Sequence, residues 1–259
     1  MQGTTSEAGT RLAGRRRTGD TVQIAGDYQF QALSHGPAPQ RFWHDTKRWL
    51  AETYLQPLPT DRVLDVGCGS GVVAHHLAQL PVAQCVAVDG NRSAIEFGQA
   101  QFSRPNLRFV HALVDELDLS AGYFDSACCL ELIEHLYPEQ GEALLRSLRH
   151  LVRPGGRLLI TTPNYHSLWP AIEWMLDFSG KVPKLAGDQH VSFYHHRRLA
   201  RLAEASGWRT LHQHTCCTLA PWAAWLSEDL ARSLRQIERK LPCGTILVHV
   251  LERSSGAGS

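Results

Sequence analysis

No stretch of this sequence approaches the length of apolar run needed to cross a membrane, and its first residues lack the apolar core of a signal peptide, so a soluble, cytoplasmic protein is expected. Net charge is nearly absent: 26 Lys and Arg against 25 Asp and Glu leave +1. A dedicated nucleic-acid binder usually shows a strongly basic face, so that class is disfavoured, although a neutral total does not exclude a local patch. The seven cysteines form neither a C-x-x-C pair nor a regular framework. Two adjacent pairs (Cys128 with Cys129, Cys216 with Cys217) and an odd total read as reduced thiols. Internal repeats and long low-complexity tracts are missing too. At 259 residues the chain has the length for one large α/β domain and not for a second full one.

What the sequence does have is a glycine-rich turn at residues 63–71, Val-Leu-Asp-Val-Gly-Cys-Gly-Ser-Gly. Val63, Leu64 and Val66 around Asp65 give way to Gly67, Gly69 and Gly71, as when a buried strand ends in a turn tight enough for a ligand to touch its backbone. Residues 72–80 carry apolar side chains at helical spacing, so the glycines lie between a strand and a helix N-terminus, as at a topological switch point. The spacing is neither the G-x-G-x-x-G of dinucleotide sites nor the G-x-x-x-x-G-K-[ST] of a P-loop. Asp65 suits a cationic ammonium better than a phosphate. A second apolar strand, 85–88, ends at Asp89-Gly90-Asn91. An acid in that position, about twenty residues past the loop, is placed to accept hydrogen bonds from two ribose hydroxyls.

Residues 1–26 are rich in Gly, Thr, Ser and Arg, with Arg15, Arg16 and Arg17 in a cluster, and read as a disordered leader; residues 254–259 read as a disordered tail. Residues 27–253 between them read as one domain. After a Pro37-Ala38-Pro39 break, Phe42, Trp43, Trp49, Leu50 and Tyr54 fall at helical spacing and predict a capping helix within 27–60. Strands are expected at 107–110, 123–130 and 157–162. A helix is expected at 139–151 with Leu144, Leu145, Leu148 and Leu151 on one face, stopped at Arg153-Pro154-Gly155-Gly156 because proline cannot continue it and glycine supplies the reversal. This alternation predicts a parallel sheet with helices on both faces.

Two inserts interrupt the pattern. Residues 163–188, with Trp169, Ile172, Trp174, Met175, Leu176, Phe178, Lys181 and Lys184, read as a lid helix packed on the domain, or as a lid for a lipophilic substrate with shallow membrane contact through 166–184. Residues 219–241 are amphipathic and arginine-rich. A helix at 197–206 and strands at 208–215 and 245–251 complete the reading.

Glu131, Glu134 and His135 stand at i, i+3 and i+4, and on a helical turn would share one face at the carboxyl end of the fourth strand. Two carboxylates and an imidazole within a turn can bind a divalent cation, Mg²⁺ or Mn²⁺ by their oxygen ligands. Without a metal, His135 or His190 would act as general base, since imidazole titrates near neutrality. The alternative is that Glu134 and His135 cap and anchor the following helix. Thr161-Thr162-Pro163-Asn164 follows the next strand, and Gly187-Asp188-Gln189-His190 ends the first insert.

The loop Asp65-x-Gly67-x-Gly69-x-Gly71 resembles the first motif of class I S-adenosylmethionine (SAM)-dependent methyltransferases. With Asp89 and the E-x-x-E-H set, residues 63–207 resemble two groups of them. Ubiquinone-biosynthesis O-methyltransferases methylate catechol hydroxyls on polyprenylated rings; small-RNA 3′-terminal 2′-O-methyltransferases hold Mg²⁺ with an acid pair and histidines against ribose hydroxyls. Residues before Arg62 match neither group convincingly. The resemblance implies a Rossmann-like class I methyltransferase fold: a mostly parallel seven-stranded sheet with helices on both faces and a helical, aromatic lid.

The resemblance also implies SAM bound by Asp65, Gly67, Cys68, Gly69, Gly71, Asp89, Gly90, Asn91, Ala112, Leu113 and Leu130. Glu131, Glu134, His135 and His190 would be the metal set, with Glu134, His135 and His190 in catalysis. Leu113 holds the place where the family usually has an acid for the adenine amino group, which leaves adenine to backbone groups of residues 112–114. Lys47 or Arg48 of the capping helix would reach the cofactor's carboxylate. The implied reaction is methyl transfer to a hydroxyl of a small, partly apolar molecule, lipophilic or aromatic. Alternatives are an RNA terminus, for which Arg197, Arg198, Arg201, Arg232, Arg235, Arg239 and Lys240 would make a basic surface, N- or C-methylation in a natural-product pathway, and a cofactor-binding scaffold without catalysis.

Overall fold

The computed structural model describes residues 25–179, 185 and 189–254. Most of the expected leader (1–24), Lys181, Lys184, Gly187, Asp188 and the tail from residue 255 lie outside the described residues. β1 (Arg62–Val66) runs parallel to β2 (Gln84–Asp89) on one side and to β4 (Phe124–Leu130) on the other. β3 (Leu107–His111) pairs beyond β2 and β5 (Val152–Pro163) beyond β4, both parallel. β7 (Ile246–Arg253) is antiparallel between β5 and β6 (Trp208–Cys216), so the sheet has seven strands in the order β3-β2-β1-β4-β5-β7-β6.

Successive residues of the central strands face opposite sides of this sheet. Val63, Ala87, Cys128 and Leu159 join one apolar cluster, while Leu64, Val86, Ala127 and Leu158 join the other. Both faces are thus dry, and each needs helices to cover it. The helices that follow in chain order are α1 (Tyr28–His35), α2 (Ala38–Leu55), α3 (Val72–Gln79), α4 (Arg92–Gln101), α5 (Pro138–Leu151), α6 (Trp169–Ser179), α7 (His196–Ala205), α8 (Ala220–Ala223) and α9 (Glu228–Glu238). Leu50 of α2, Leu77 of α3 and Ile95 of α4 close the first face; Leu145 and Leu148 of α5 and Leu199 of α7 close the second.

Three elements differ from the sequence reading. The N-terminal cap is two helices, because Pro37 is extended (φ −60°, ψ 157°) and Pro39 sits in the first turn of α2, where its missing N–H costs nothing. α5 gives way to strand conformation at Val152, ahead of the Arg-Pro-Gly-Gly run, and β5 carries that run as an irregular stretch with Gly155 at φ 73°. The second insert forms α8 and α9 against α2, with Phe42, Ala220, Ala223, Ala224 and Ala231 as a small third core. Among the described residues no helix is long and apolar enough to cross a membrane. All seven cysteines are free, six of them buried.

At the start of α3, Gly71 holds φ 82°, and a Cβ there would lie 2.4 Å from the Phe109 ring. Gly71→Ala combines left-handed strain with overpacking, and a loss of about 2 to 4 kcal/mol is expected. Urea unfolding checks it; a loss below about 1 kcal/mol would mean that the loop relaxes freely.

Candidate functional site

The order of the strands decides where a ligand can sit. The chain leaves β1 toward β2 and β3 and then returns across β1 to β4, so the connections diverge at the carboxyl ends of β1 and β4 and open a crevice there. A cavity of about 1980 Å³ occupies it, lined by Gly67, Gly69, Asp89, Gly90, Asn91, Ala112 and Leu113 at one end and by Glu131, Glu134, His135 and His190 at the other.

The glycine loop is tied to β2 by its own backbone. Gly67 and Cys68 N–H both donate to the Val88 carbonyl (2.8 and 3.1 Å), and Gly69 N–H donates to Asp89 Oδ2 (2.7 Å). Asn91 N–H donates to Asp89 Oδ1, also at 2.7 Å. Each carboxylate oxygen so accepts one main-chain bond and keeps further acceptor capacity toward the cavity. Burial raises the Asp89 pKa, with the two main-chain bonds opposing it.

Four of the expected cofactor residues do not line this cavity. Asp65 is only 2% exposed, beneath the loop, where its Oδ1 accepts from Cys128 Sγ (3.3 Å) and Oδ2 has no hydrogen-bond partner. Cys68 and Leu130 are buried in the first core cluster, and Gly71 faces Phe109. These residues shape the loop from below, which side-chain type alone does not reveal. Where adenine was expected, Ala112 N–H donates to the Asp89 carbonyl and Leu113 N–H to Glu116 Oε2, so two of the three expected backbone donors are already engaged. Asp115, two residues past Leu113, lines the cavity with a carboxylate that the sequence reading missed.

The second constellation is assembled from two stretches of chain, residues 131–135 and His190. Glu134 and His135 lie on a single 3-10 turn, 133–135, and Glu131 precedes it at φ 56°, so no continuous helical face carries all three. His190 is brought beside them because Val191 and Ser192 N–H both donate to the Glu134 carbonyl at 3.0 Å. Ligand atoms of Glu134, His135 and His190 lie within 4.8 Å of one another. Glu131 stands outside that trio, with its Oε1 buried and lacking a hydrogen-bond partner among the described residues.

His135 Nδ1 lies 2.9 Å from the Gln189 carbonyl, which can only accept, so the Nδ1 proton is fixed and Nε2 keeps its lone pair. His190 Nδ1 lies 2.5 Å from Glu173 Oε1, on α6. Thr162 Oγ1 donates to Glu134 Oε2 (2.9 Å). Burial, with the Glu131 charge close by, pushes the Glu134 carboxyl well above the carboxylate range. Burial and the neighbouring His190 lower His135 to about 4. For His190 burial works against the charged form, but the bond to Glu173 and the Glu134 charge outweigh it and raise the pKa. His135, expected to titrate near neutrality, is therefore the poorer base of the two.

Helices of both inserts roof the cavity. Trp43 and Lys47 of α2, Trp169, Ile172 and Leu176 of α6, and Trp222 of α8 with Trp225 line it. Arg48 is held by Asp45 at 2.5 Å, so of the two basic residues proposed for this helix Lys47 is the one that reaches the cavity. Of the seven basic residues expected to make a surface, Arg232, Arg235 and Arg239 are engaged within the chain. Arg235 is buried between Phe42 and Trp49 (5.2 and 4.3 Å from the rings), Arg239 stacks on Trp49 and Tyr54, and Arg232 pairs with Glu228 and Asp229.

The seven-stranded sheet with its antiparallel β7 and a glycine loop at the switch point defines a Rossmann-like methyltransferase fold. The chain belongs to the methyltransferase domain family, which matches residues 35–213. It is 34% identical over 115 residues to a ubiquinone biosynthesis O-methyltransferase of Albidiferax ferrireducens, a match that covers 43% of this chain and 44% of the relative. The chain spans less than half the length of the curated relatives it matches. Two solved structures share the fold. A SAM-dependent methyltransferase of Archaeoglobus fulgidus has a TM-score of 0.60 at 20% identity, over 87% of this chain and 98% of that one. A methyltransferase of Haloferax volcanii, solved with its Trm112 activator, has a TM-score of 0.63 at 16% identity, over 89% and 99%.

Burial holds the Asp65 carboxyl up at about 7, from an ordinary value near 3.8. A group whose folded pKa is raised favours the folded state below its unfolded pKa and loses that contribution as pH rises through the folded pKa. Wild type is expected to lose stability between pH 4 and pH 8 by up to about 4 kcal/mol, a loss that Asp65→Asn escapes. Denaturant titrations of both chains at the two pH values check this; a difference independent of pH would refute it.

Proposed function

We propose that this protein is a SAM-dependent methyltransferase acting on a hydroxyl of a small, partly apolar molecule. One observation carries the reading: the Asp89 carboxylate and the Glu134, His135, His190 trio open into a single cavity beside the glycine loop. Asp89 retains acceptor capacity for two ribose hydroxyls, Leu113 flanks Gly90 as an apolar wall for a purine, and Asp115 offers the adenine amino group the acceptor that Leu113 does not. Lys47, lining the same cavity, suits the cofactor's carboxylate. Bound there, SAM supplies a methyl group on a sulfonium already primed to leave, so the protein's task is to align the acceptor and take its proton.

The donor set also fits a divalent cation. Both histidines have Nδ1 engaged and Nε2 left over, and the buried Glu131 Oε1 has no partner. Mg²⁺ or Mn²⁺ held by Glu134, His135 and His190, with Glu131 beside them, would supply positive charge that lowers the pKa of an acceptor hydroxyl. Without the cation, His190 is the stronger base of the pair and takes the proton through Nε2, while His135, neutral with Nδ1–H on Gln189, offers only its Nε2 lone pair.

The aromatic roof supports a lipophilic or aromatic acceptor, and the engagement of Arg232, Arg235 and Arg239 within the chain favours it over RNA. Trp174, Met175 and Phe178 of α6 are exposed, Phe178 at 81%, which supports delivery of such an acceptor from a membrane surface.

Asp89→Ala is expected to weaken S-adenosylhomocysteine binding at least about 100-fold in calorimetry, the loss of two charge-assisted hydrogen bonds. Unchanged affinity would remove the ribose assignment. Chelation with EDTA is expected to suppress methyl transfer to a prenylated catechol, and Mg²⁺ or Mn²⁺ to restore it. Indifference to EDTA would leave the acid/base role of the trio without the metal.

A further inference from the structure

One buried carboxylate next to the site is hydrogen-bonded to His190 but is not itself among the residues that line the cavity. Glu173, on α6, is 3% exposed. Its Oε1 lies 2.5 Å from His190 Nδ1 and accepts from the Tyr165 hydroxyl at 2.8 Å; that hydroxyl is itself 3.1 Å from His190 Nδ1. A carboxylate this deep is costly unless it is paired, so the contact is a designed one rather than a surface accident.

The three groups come from separate segments. Tyr165 follows β5, Glu173 is on the lid helix, and His190 lies just before the two N–H groups that dock on the Glu134 carbonyl. A carboxylate oxygen only accepts, so the Glu173 contact puts the ring proton of neutral His190 on Nδ1 and leaves the Nε2 lone pair to the cavity that His190 lines.

His135 reaches the same state through the Gln189 main-chain carbonyl, which the local backbone path fixes. His190 depends instead on a side chain carried by a helix. The neighbours of Glu173 on α6, Ile172 and Leu176, line the cavity, so one helix contributes both wall and orientation.

We propose that Glu173 is a positioning residue that, together with Tyr165, sets the tautomer and ring orientation of His190, so that the seating of α6 is a condition for a competent acceptor site. The proposal rests on the reading of Glu134, His135 and His190 as the acceptor site, and it adds the lid helix to that site. Removing such an outer partner typically costs 10- to 100-fold in activity or metal affinity while the rest of the site stays intact.

The test uses the full chain in two measurements. In ¹⁵N spectra of the histidine rings at pH 9, with no metal or cofactor added and His190 assigned by comparison with His190→Ala, wild type is expected to show Nδ1 protonated and Nε2 bare. Glu173→Ala is expected to shift the proton toward Nε2, the form an unrestrained neutral imidazole prefers. An Nε2–H tautomer in wild type, or no change in the variant, would overturn the proposal.

The second measurement is transfer from labelled SAM to a catechol bearing a short prenyl chain. Glu173→Leu, which keeps the bulk of the side chain without an acceptor, is expected to lower kcat about 10- to 100-fold with S-adenosylhomocysteine affinity within about twofold of wild type. Glu173→Gln, whose amide oxygen still accepts from Nδ1–H, is expected to keep the wild-type tautomer and most of the activity. In a His190→Ala background Glu173→Leu should cost less than about twofold more, because it acts through that ring. Full activity of Glu173→Leu, or costs that multiply, would also overturn the proposal. If Glu173→Ala does not fold, Glu173→Leu decides through its ring spectra and kinetics. A wild-type chain that binds no S-adenosylhomocysteine would instead refute the methyltransferase reading, while the ring nitrogens still report on the Glu173 contact.

Discussion

A parallel sheet that is apolar on both faces leaves a ligand only the ends of its strands. In this molecule the constraint falls hardest on β1, whose neighbours β2 and β4 are reached by connections that diverge from its carboxyl end. The glycine loop leaves β1 at that point, and it is held down by two N–H bonds to the Val88 carbonyl and a third to the Asp89 carboxylate. The proposed cofactor contacts follow from how this loop is fastened. Asp89 is at once the clasp of the loop and the acceptor that faces the cavity.

The other end of the cavity is held by a different device. A single carbonyl, that of Glu134, accepts from Val191 and Ser192, and this draws the residues after the first insert onto the turn after β4. Glu134, His135 and His190 meet for that reason. Tyr165, Glu173 and Thr162 surround them with hydrogen bonds, so the polar set is embedded in apolar surroundings with most of its members partnered. Glu131 is the exception, with a buried oxygen left over in a left-handed backbone conformation. Strain and an unmatched acceptor at one residue are what a site looks like when its last partner is a ligand.

The roof over both ends is built from the segments that interrupt the α/β alternation. α2, α6 and α8 bring tryptophans to the cavity, while the arginines of α9 are absorbed by stacking on Phe42, Trp49 and Tyr54 and by pairing with Glu228. What is common to the solved structures at 16% and 20% identity is the fold.

The sheet was legible from the sequence because its determinants are local. Strand residues alternate between two buried faces, glycines mark the turn after β1, and Leu144, Leu145, Leu148 and Leu151 mark the buried stripe of α5. Asp89 could be placed for the same reason, since a strand end and a following loop lie within a few residues of each other. Depth was not legible: Asp65, Cys68, Gly71 and Leu130 have the right types and order for a binding loop, yet they face the core, because the path of the turn decides which side of it each residue meets. Nor could any spacing place Glu173 against His190, seventeen positions away on a helix whose angle is set by packing. The sequence by itself determined the strands, the loop and the chemical types at the site; the tertiary structure decided which of them share a cavity and which nitrogen of each histidine faces it, because those follow from contacts between segments that no local pattern encodes.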